Sequence, residues 1–307
     1  MSLRNRTGRL APSPTGALHL GNIRTFMVAW LQMRSVGGTL RLRIEDLDHP
    51  KHKAGAAEQI IEDLQWLGFD WDGSIVWQSQ RQAQYCSALQ SLVPRLYRCT
   101  CTRADILGAQ SAPHPGEVLR YSGHCRRLLG QELWSEEAAP KAWRFALNAN
   151  DDGRFTDAFA GVQTQTAKEL TGDFVIARGN EPSYALAVVV DDAEMGVTDV
   201  VRADDILPAT PAQVVLYQTL GLTLPTFYHL PLVVGKDALR LAKRHGDTRI
   251  AAYREAGISS GRILSALARS CGWLTAQDSV SRLEELLPYF SFDTLSHHPF
   301  IWDESFL

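Results

Sequence analysis

The stretch that decides the fold is Arg9-Leu10-Ala11-Pro12-Ser13-Pro14-Thr15-Gly16-Ala17-Leu18-His19-Leu20-Gly21-Asn22. A short strand over Arg6 to Ala11 ends in a turn rich in proline and glycine, and a helix follows. His19 and Asn22 stand three residues apart at the first turn of that helix, so their side chains share a face. A helix N-terminus offers free N–H groups and a partial positive charge to a phosphate, and Gly21 lets a ligand approach the backbone. The stretch therefore predicts a phosphate-binding turn, although His-x-Gly alone is more typical of an ordinary helix cap.

Strands and helices alternate on the C-terminal side of this turn. The helix that starts at Leu20 carries apolar residues at helical spacing and stops at Gly37-Gly38. Residues 39–44 then alternate between polar and apolar, which is the period of a strand, and a second helix ends at Gly68. Short connections between such elements are typical of a parallel α/β sheet.

The composition limits the function classes further. Of 307 residues, 45% are hydrophobic and 21% are charged, which excludes a disordered chain, a collagen-like repeat and a coiled coil. The longest apolar run, Tyr184 to Val190, is too short to cross a bilayer, and Met1 to Thr7 has no apolar signal region. We therefore expect a cytoplasmic protein with no membrane partner. Because the net charge is −3, any nucleic-acid binding depends on local basic patches.

The middle of the chain departs from this rhythm. Residues 95–130 show no sustained periodicity and contain three cysteines. This indicates an insertion that is stabilised by its own cysteine cluster. Residues 143–159 read as short strands, and beyond Asp247 the chain turns helical. The elements predicted between them are strands over Asp173 to Ala177, Ser183 to Val190 and Thr198 to Arg202, and a helix over Pro208 to Leu220.

The opening stretch resembles the HIGH-motif segment of class I aminoacyl-tRNA synthetases, in particular the glutamyl and glutaminyl group. Three further matches follow in the family's order. They are Leu42-Arg43-Ile44-Glu45-Asp46-Leu47-Asp48, Pro182-Ser183-Tyr184 leading into Val188-Val189-Val190-Asp191-Asp192 as a glutamate-pocket strand, and Arg240-Leu241-Ala242-Lys243-Arg244 as a KMSKS-like loop. The resemblance covers residues 7–246 and implies a Rossmann-type parallel-sheet catalytic domain with a zinc-containing insertion and a short helical C-terminal region.

The resemblance also implies a division of the chain. We expect residues 1–98 and 191–246 to form two halves of the catalytic domain, with an insertion over 99–190 that returns to the glutamate pocket. Residues 247–307 would form the helical C-terminal region. Only 63 residues follow Arg244, so we expect no separate anticodon-binding domain.

Amino-acid activation requires positioning and charge stabilisation at the α-phosphate of ATP rather than an acid or a base. By resemblance, ATP with its Mg²⁺ is bound by His19, Gly21, Asn22 and Lys243. Of these, His19, Asn22 and Lys243 support the reaction. The same basic loop read without the family is a solvated charge run. Ala242 replaces the family's serine in this loop, so we expect weakened but retained ATP handling.

Glutamate has two carboxylates and one ammonium group, so it calls for two cations and one acid. The resemblance implies Arg9, Arg202 and Glu45 for these tasks, with Tyr184 in the same pocket. The sequence does not separate the roles of the two arginines, and a structural salt bridge explains a strand-borne Arg–Glu pair equally well. The segment that follows Arg9 completes the expected glutamate-binding set with Leu10, Ala11, Pro12 and Ser13.

Cys99, Cys101 and Cys125 form an incomplete set of zinc ligands, because tetrahedral zinc needs a fourth. The candidates are Tyr121, His124 and His114; imidazole is the usual ligand at neutral pH, but adjacent His124 and Cys125 strain to bind one ion. The resemblance to the glutamyl-queuosine branch favours Tyr121, with His124 as the alternative. Without the resemblance, buried free cysteines remain an alternative. The insertion also has six arginines against two acidic residues between 95 and 127, which suggests an RNA-facing patch.

The short chain resembles that same branch of the family. Its members activate glutamate without tRNA and then esterify it to the queuosine base in the anticodon of tRNA(Asp). We therefore expect an ATP-dependent ligase, a monomer, with L-glutamate, ATP and the queuosine-containing anticodon stem-loop of tRNA(Asp) as partners. Two alternatives stay open: a minimal glutamyl-tRNA synthetase that charges a tRNA 3′ end, and a non-catalytic paralogue that binds tRNA or an amino acid.

Overall fold

The computed structural model describes residues 6–47, 54–108, 120–137, 142–239, 241 and 247–307. The strands are β1 Thr7–Leu10, β2 Thr39–Ile44, β3 Val76–Trp77, β4 Leu96–Cys99, β5 Ala142–Phe145, β6 Phe155–Asp157, β7 Gly161–Gln163, β8 Phe174–Arg178, β9 Glu181–Pro182, β10 Asp199–Ala203, β11 Thr226–Leu230, β12 Val233–Val234 and β13 Phe300–Ile301. The α-helices are α1 Leu20–Ser35, α2 Ala56–Trp66, α3 Gln82–Leu92, α4 Arg103–Gly108, α5 Ala167–Leu170, α6 Tyr184–Glu194, α7 Thr210–Thr219, α8 Ile250–Glu255 and α9 Ser260–Ser270.

The predicted parallel α/β sheet is confirmed. Strands β1, β2 and β3 pair in parallel, and β10 pairs in parallel with β11. The two groups meet where β10 runs beside β1, since the backbone N–H of Thr198 donates to the carbonyl of Thr7 at 2.8 Å. The carboxyl ends of β1, β2 and β10 therefore lie at one edge, where open α/β sheets bind ligands.

The insertion folds around an antiparallel sheet. Its strands follow the order β4-β5-β8-β9, and β6 and β7 form a separate hairpin. The register of β5 with β8 shifts between Trp143 and Arg144. The cysteine-rich strand β4 lies beside the 3₁₀ turn of His124–Leu128.

The prediction of a strand over Ser183 to Val190 is wrong, because this segment forms helix α6. Ser183 caps the helix by accepting the N–H of Leu186, and the apolar run that follows is buried. A short buried run carries no periodicity that separates a strand from a helix, so the cap decides. The helix predicted over Pro208 to Leu220 begins at Thr210, after a 3₁₀ turn over Asp204–Ala209.

Two large hydrophobic clusters hold the chain together. One surrounds α1 and includes residues of β1, β2, α9 and the C-terminal segment. The other joins the insertion sheet to α3, α6 and α7. Within the described residues, none of the helices has the length and apolar character that crossing a membrane requires.

Candidate active site

A cavity of about 950 Å³ opens at the carboxyl edge of the parallel sheet. It lies between the ends of β1, β2 and β10 and the N-terminus of α1. The structure brings most of the expected ligand-binding residues to its wall: Arg9, Ala11, Pro12, Ser13, His19, Gly21, Asn22, Glu45, Tyr184 and Arg202. Leu10 does not line the cavity, because its side chain is fully buried in the core beside α1.

The N-terminus of α1 is closed by a reciprocal cap. The His19 Nδ1 atom accepts the N–H of Asn22 at 3.4 Å, and the Asn22 side-chain oxygen accepts the N–H of His19 at 3.1 Å. A Cβ atom at Gly21 would lie 3.1 Å from both Cε1 and Nδ1 of the His19 ring. The glycine therefore leaves room for the ring as well as for a ligand, and the cap fixes His19 at the cavity wall.

Arg9 enters the cavity from the end of β1 and is only 5% exposed. Its Nη1 atom donates to the carbonyl of Val201 at 2.9 Å, and its Nε atom lies 3.5 Å from the Asp192 carboxylate. These contacts tie Arg9 to β10 on one side and to helix α6 on the other. The guanidinium is thereby held as a buried positive charge at the edge of the sheet.

Arg43 is the residue at this site whose part the sequence did not reveal. It is fully buried and donates to Asp192 Oδ1 at 2.5 Å and to Glu45 Oε1 at 3.0 Å. Burial alone would lower its pKa, but Asp192, Glu45 and Asp191 outweigh burial and raise the pKa well above the ordinary arginine value. The available signals were its place in the motif match Leu42 to Asp48 and its position in a strand of a parallel sheet, where both faces are covered, but neither signal defined its role.

Glu45 follows β2 and projects into the same cavity. Its backbone N–H donates to the carbonyl of Pro12 at 2.9 Å, which fixes the chain where the strand ends. Burial raises the pKa of Glu45, and the positive charges of Arg43 and Arg9 offset part of that effect. A carboxylate in this setting is suited to a cationic ligand group, whose charge would favour its ionised form.

Arg202 lines the cavity at the end of β10, and buried polar side chains hold its guanidinium by hydrogen bonds. Its Nε atom donates to His229 Nε2 at 2.9 Å, and its Nη2 atom donates to Thr210 and Gln213 at 2.9 and 2.8 Å. His229 Nδ1 lies 2.5 Å from Asp157 Oδ2. Burial lowers the pKa of Arg202 from the ordinary value, yet a guanidinium remains charged at neutral pH.

Tyr184 lies at the first position of α6, with its side chain 43% exposed at the cavity wall. Partial removal from water and the negative charge of Glu45 raise the pKa of its hydroxyl. Tyr184 therefore offers a neutral hydrogen-bonding group opposite the charged end of the cavity. The expected basic-loop residues Ala242 and Lys243 lie outside the described residues.

The three cysteines of the insertion converge as predicted. The sulfur atoms of Cys99, Cys101 and Cys125 all lie within 4.8 Å of one another. The Tyr121 hydroxyl is 3.6 Å from Cys99 Sγ and 3.9 Å from Cys101 Sγ, and it accepts the N–H of Cys125 at 2.7 Å. His124 is not part of this group of possible metal ligands among the described residues, and His114 lies outside them.

The surroundings of the cysteines favour the anionic form of Cys125, whereas burial raises the pKa values of Cys101 and Tyr121. Arg144 donates to Cys99 Sγ at 3.1 Å, and its guanidinium carbon lies 3.6 Å from the centre of the Tyr121 ring. Burial opposes ionisation of Cys125, but hydrogen bonds from the Thr100 backbone and the Tyr121 side chain outweigh burial and lower its pKa to about 6. Three thiols and one phenol within reach of a single point fit the donor set of a tetrahedral zinc ion.

The fold and the cavity agree with a family comparison. A model of the class I tRNA synthetases (E and Q), catalytic domain, matches residues 6–307. The chain belongs to this family, and as a class I synthetase it is an ATP-dependent ligase. A glutamate-tRNA synthetase structure from Elizabethkingia anophelis superimposes with a TM-score of 0.82 at 25% identity, covering 99% of this chain and 69% of that one.

Within the family, the chain is similar to two kinds of protein. It is 46% identical over 307 residues to a glutamyl-Q tRNA(Asp) synthetase of Symbiobacterium thermophilum, covering 95% of this chain and 94% of its relative. It is 38% identical over 303 residues to glutamate–tRNA ligase 2 of Koribacter versatilis, covering 96% of this chain but 63% of that ligase. The nearly full coverage of the first relative distinguishes the two comparisons.

Proposed function

We propose that the protein activates L-glutamate with ATP in the absence of tRNA and then transfers the glutamyl group to the queuosine base in the anticodon of tRNA(Asp). The observation that carries this proposal is a cavity in which a helix N-terminus shares the wall with two buried arginines and a largely buried glutamate, whose side chain is 11% exposed. The similarity over nearly the whole length of a glutamyl-Q tRNA(Asp) synthetase supports it.

The polar groups of the cavity match those of glutamate. Arg9 and Arg202 supply two positive charges for the two carboxylates, and Glu45 supplies a negative charge for the ammonium group. Tyr184 donates or accepts a further hydrogen bond at the rim. Ala11, Pro12 and Ser13 line the cavity between Arg9 and the turn before α1, while Leu10 anchors this segment in the core.

The N-terminus of α1 provides the nucleotide side of the cavity. His19, Gly21 and Asn22 hold the ATP phosphates at the positive end of the helix dipole, and Lys243 of the basic loop binds the same phosphates. A glutamate carboxylate oxygen attacks the α-phosphorus, the bond to the bridging oxygen breaks, and pyrophosphate leaves. Mg²⁺ accompanies ATP and supplies additional positive charge for the phosphates.

The cysteine cluster completes the insertion as a structural metal site. Cys99, Cys101, Tyr121 and Cys125 are the residues that would hold one zinc ion, because their donor atoms converge and Arg144 donates a hydrogen bond to Cys99 Sγ. The metal would fix β4 against the turn that contains Cys125. The basic insertion then presents a rigid surface to the anticodon stem-loop.

In the transfer step, a hydroxyl of the queuosine cyclopentenediol attacks the carbonyl carbon of glutamyl-adenylate. The ester bond forms, the mixed anhydride bond breaks, and AMP leaves with the electron pair. The hydroxyl proton goes to solvent or to the leaving phosphate. No redox partner is required.

Glutamate-dependent exchange between ATP and pyrophosphate, measured without tRNA, tests the first step. Transfer of labelled glutamate to tRNA(Asp) with and without queuosine tests the second, and Glu45→Gln serves as the control for contaminating synthetases. Exchange without tRNA and labelling of queuosine-containing tRNA(Asp) alone are the expected results. Absence of exchange from the wild-type protein contradicts the proposal.

The similarity to a glutamate–tRNA ligase supports one competing function, charging of a tRNA 3′ end. Periodate treatment alone does not distinguish the two products, because both sites carry vicinal hydroxyls. The position of the label in the tRNA must therefore be mapped. Nuclease fragments of the labelled tRNA give that map. Label on the 3′-terminal fragment, with exchange that requires tRNA(Glu), would favour the minimal glutamyl enzyme.

A further inference from the structure

We propose that Asp157 and His229 are positioning residues that hold the Arg202 guanidinium in its glutamate-binding orientation. The inference rests on the proposed function, because it concerns how the pocket achieves affinity for glutamate. Neither residue lines the cavity, and both side chains are completely buried. Their effect on the substrate would therefore pass through Arg202.

Asp157 is fixed by the backbone around it. Its Oδ1 atom accepts N–H groups from Phe159, Ala160 and His229 at 2.9, 2.7 and 3.2 Å. These bonds leave Oδ2 to face the His229 ring at 2.5 Å. A carboxylate with this many donors stays ionised, and the bonds together with His229 lower its pKa despite burial.

The ionised carboxylate determines the state of the His229 ring. Since Asp157 can only accept, His229 Nδ1 carries the proton and donates it. Arginine can only donate, so His229 Nε2 must present a lone pair to Arg202 Nε at 2.9 Å. Both contacts are satisfied only by the neutral ring with its proton on Nδ1. Burial and the charge of Arg202 lower the pKa of His229 to about 4, which agrees with that state.

The same contacts restrict the rotation of Arg202. Its Nε and Nη2 atoms are held by His229, Thr210 and Gln213, which lie on β11 and α7. Among the described residues, Nη1 is the Arg202 nitrogen without a hydrogen bond, and Arg202 lines the cavity. The guanidinium therefore presents one fixed donor edge to a ligand carboxylate, which reduces the entropy lost on binding.

Two substitutions of His229 separate its two contacts. His229→Asn places an amide near Nδ1, which keeps a donor for Asp157 and removes the acceptor for Arg202. His229→Gln places an amide oxygen near Nε2, which restores that acceptor. We expect His229→Asn to raise the KM for glutamate about tenfold, with the KM for ATP changed less than about twofold, and His229→Gln to recover much of that loss.

Asp157→Asn tests the tautomer without changing the volume of the side chain. Its amide would donate to His229 Nδ1 and move the ring proton to Nε2, where it opposes the Arg202 donors. Ring ¹⁵N spectra of labelled histidine, with His229→Gln to assign the signal, should show the Nδ1-protonated neutral form in the wild type. The signal should change to the other neutral form in Asp157→Asn.

A double-mutant cycle with Arg202→Ala decides whether His229 acts through Arg202. If it does, His229→Asn adds no further rise in the glutamate KM once Arg202 has been removed. The inference would be overturned if the effects of the two substitutions on the glutamate KM multiplied, as independent effects do. Equal rises in the KM values for glutamate and ATP would also overturn it, and His229 would then have only a role in stability. Thermal unfolding of each variant checks that the fold persists.

The spectra also separate this inference from the proposed function. A wild-type protein without glutamate-dependent exchange contradicts the proposed function, while the tautomer is still read from the ¹⁵N signals. A wild-type His229 that is protonated on Nε2 overturns the inference whatever the activity. Active enzyme with unchanged glutamate KM in His229→Asn overturns it as well.

Discussion

At the scale of single residues, the site is defined by buried arginines whose partners differ. Arg43 contacts carboxylates and serves to hold Glu45 and Asp192 in place. Arg9 and Arg202 have mixed partners and retain a face toward the cavity. A buried positive charge that is not fully paired is costly, and a ligand carboxylate would relieve that cost.

Replacement of Arg9 should affect glutamate more than ATP. Arg9→Ala removes a cation from the cavity wall but leaves the α1 N-terminus intact, so we expect a steep rise in the KM for glutamate and little change for ATP. Arg41→Ala is the matched control, because Arg41 pairs in register with Arg9 on β2 but does not line the cavity. Unchanged glutamate dependence in ATP–pyrophosphate exchange would refute this role of Arg9.

Replacement of Arg43 should affect stability. Arg43→Met keeps much of the side-chain volume but removes the partner of two buried carboxylates, so the free energy of unfolding should fall by about 3–5 kcal/mol. Urea unfolding followed by circular dichroism measures this loss. Arg282→Met, which removes an exposed pair with Glu285, should cost less than about 1 kcal/mol. Similar losses in both variants would show that burial of the Arg43 cluster contributes nothing extra.

At the scale of elements, the segment after Ser183 shows how a cap overrides β propensity. Val188, Val189 and Val190 favour a strand when read alone, but they occupy the interior of α6. As a helix, the segment places Asp192 beside the buried arginines of β1 and β2. It places Asp191 beside the partly exposed Arg81 on the turn before α3. The acidic pair thus joins the helix to the sheet beneath the cavity.

The contact between β6 and β11 should make stability depend on pH. The folded pKa of His229 is about 4 and the ordinary value is 6.5, so between these pH values the unfolded chain binds more protons. This group therefore contributes stability that is present at pH 7 and falls by about 2 kcal/mol on going to pH 5. Urea unfolding at both pH values should show a smaller fall for His229→Gln than for the wild type.

An exposed histidine provides the control for that measurement. His298 lies on the surface, and His298→Gln should keep the pH dependence of the wild type. If His229→Gln also keeps it, the His229 ring does not change its protonation on unfolding in this range, and the prediction fails.

The insertion should depend on a bound metal. We expect one zinc ion per chain by elemental analysis and a lower Tm after chelation, because the cysteine cluster joins β4 to a 3₁₀ turn. Cys125→Ser and Tyr121→Phe should reduce the zinc content or affinity. Cys86→Ser, at a buried cysteine outside the cluster, and His124→Ala should retain zinc. Loss of zinc in His124→Ala with retention in Tyr121→Phe would reverse the choice of the fourth ligand.

At the scale of the whole molecule, the C-terminal segment completes the first core. Strand β13 pairs with β12, and the N–H of Trp302 donates to the carbonyl of Val234 at 2.8 Å. Trp302 is 4% exposed and packs in the cluster that surrounds α1. Residues distant in sequence from the turn at His19 therefore support α1, the helix that this turn begins.

Trp302→Ala should destabilise the whole protein rather than only its end. Removal of a buried tryptophan side chain costs about 3–5 kcal/mol, so we expect a clear loss in the free energy of urea unfolding. Tyr289→Ala, at a residue that is 50% exposed, should cost much less. An equal, small effect of both substitutions would show that the C-terminal segment packs loosely on the core.

The sequence alone was sufficient for the parallel α/β fold and for the turn between β1 and α1, because both depend on local patterns. The alternation over 39–44, the glycine stops and the proline-rich turn each act within a few residues. Cys99, Cys101 and Cys125 were also identifiable as a group, since thiols have few other uses in such a spacing. The family motifs further predicted that Arg9, Glu45 and Arg202 share one pocket, and all three line the cavity.

Only the tertiary structure decided how those charges are held. Arg43, Asp157 and His229 lie on separate strands. Arg43 contacts Asp192, His229 contacts Arg202, and Asp157 contacts His229, and in each pair the two residues are far apart in the chain. No local pattern marks such partners, because burial and hydrogen bonding depend on which strands meet. The sequence determined which charges the protein has at the cavity, whereas packing determined which of them are neutralised inside the protein and which face a ligand.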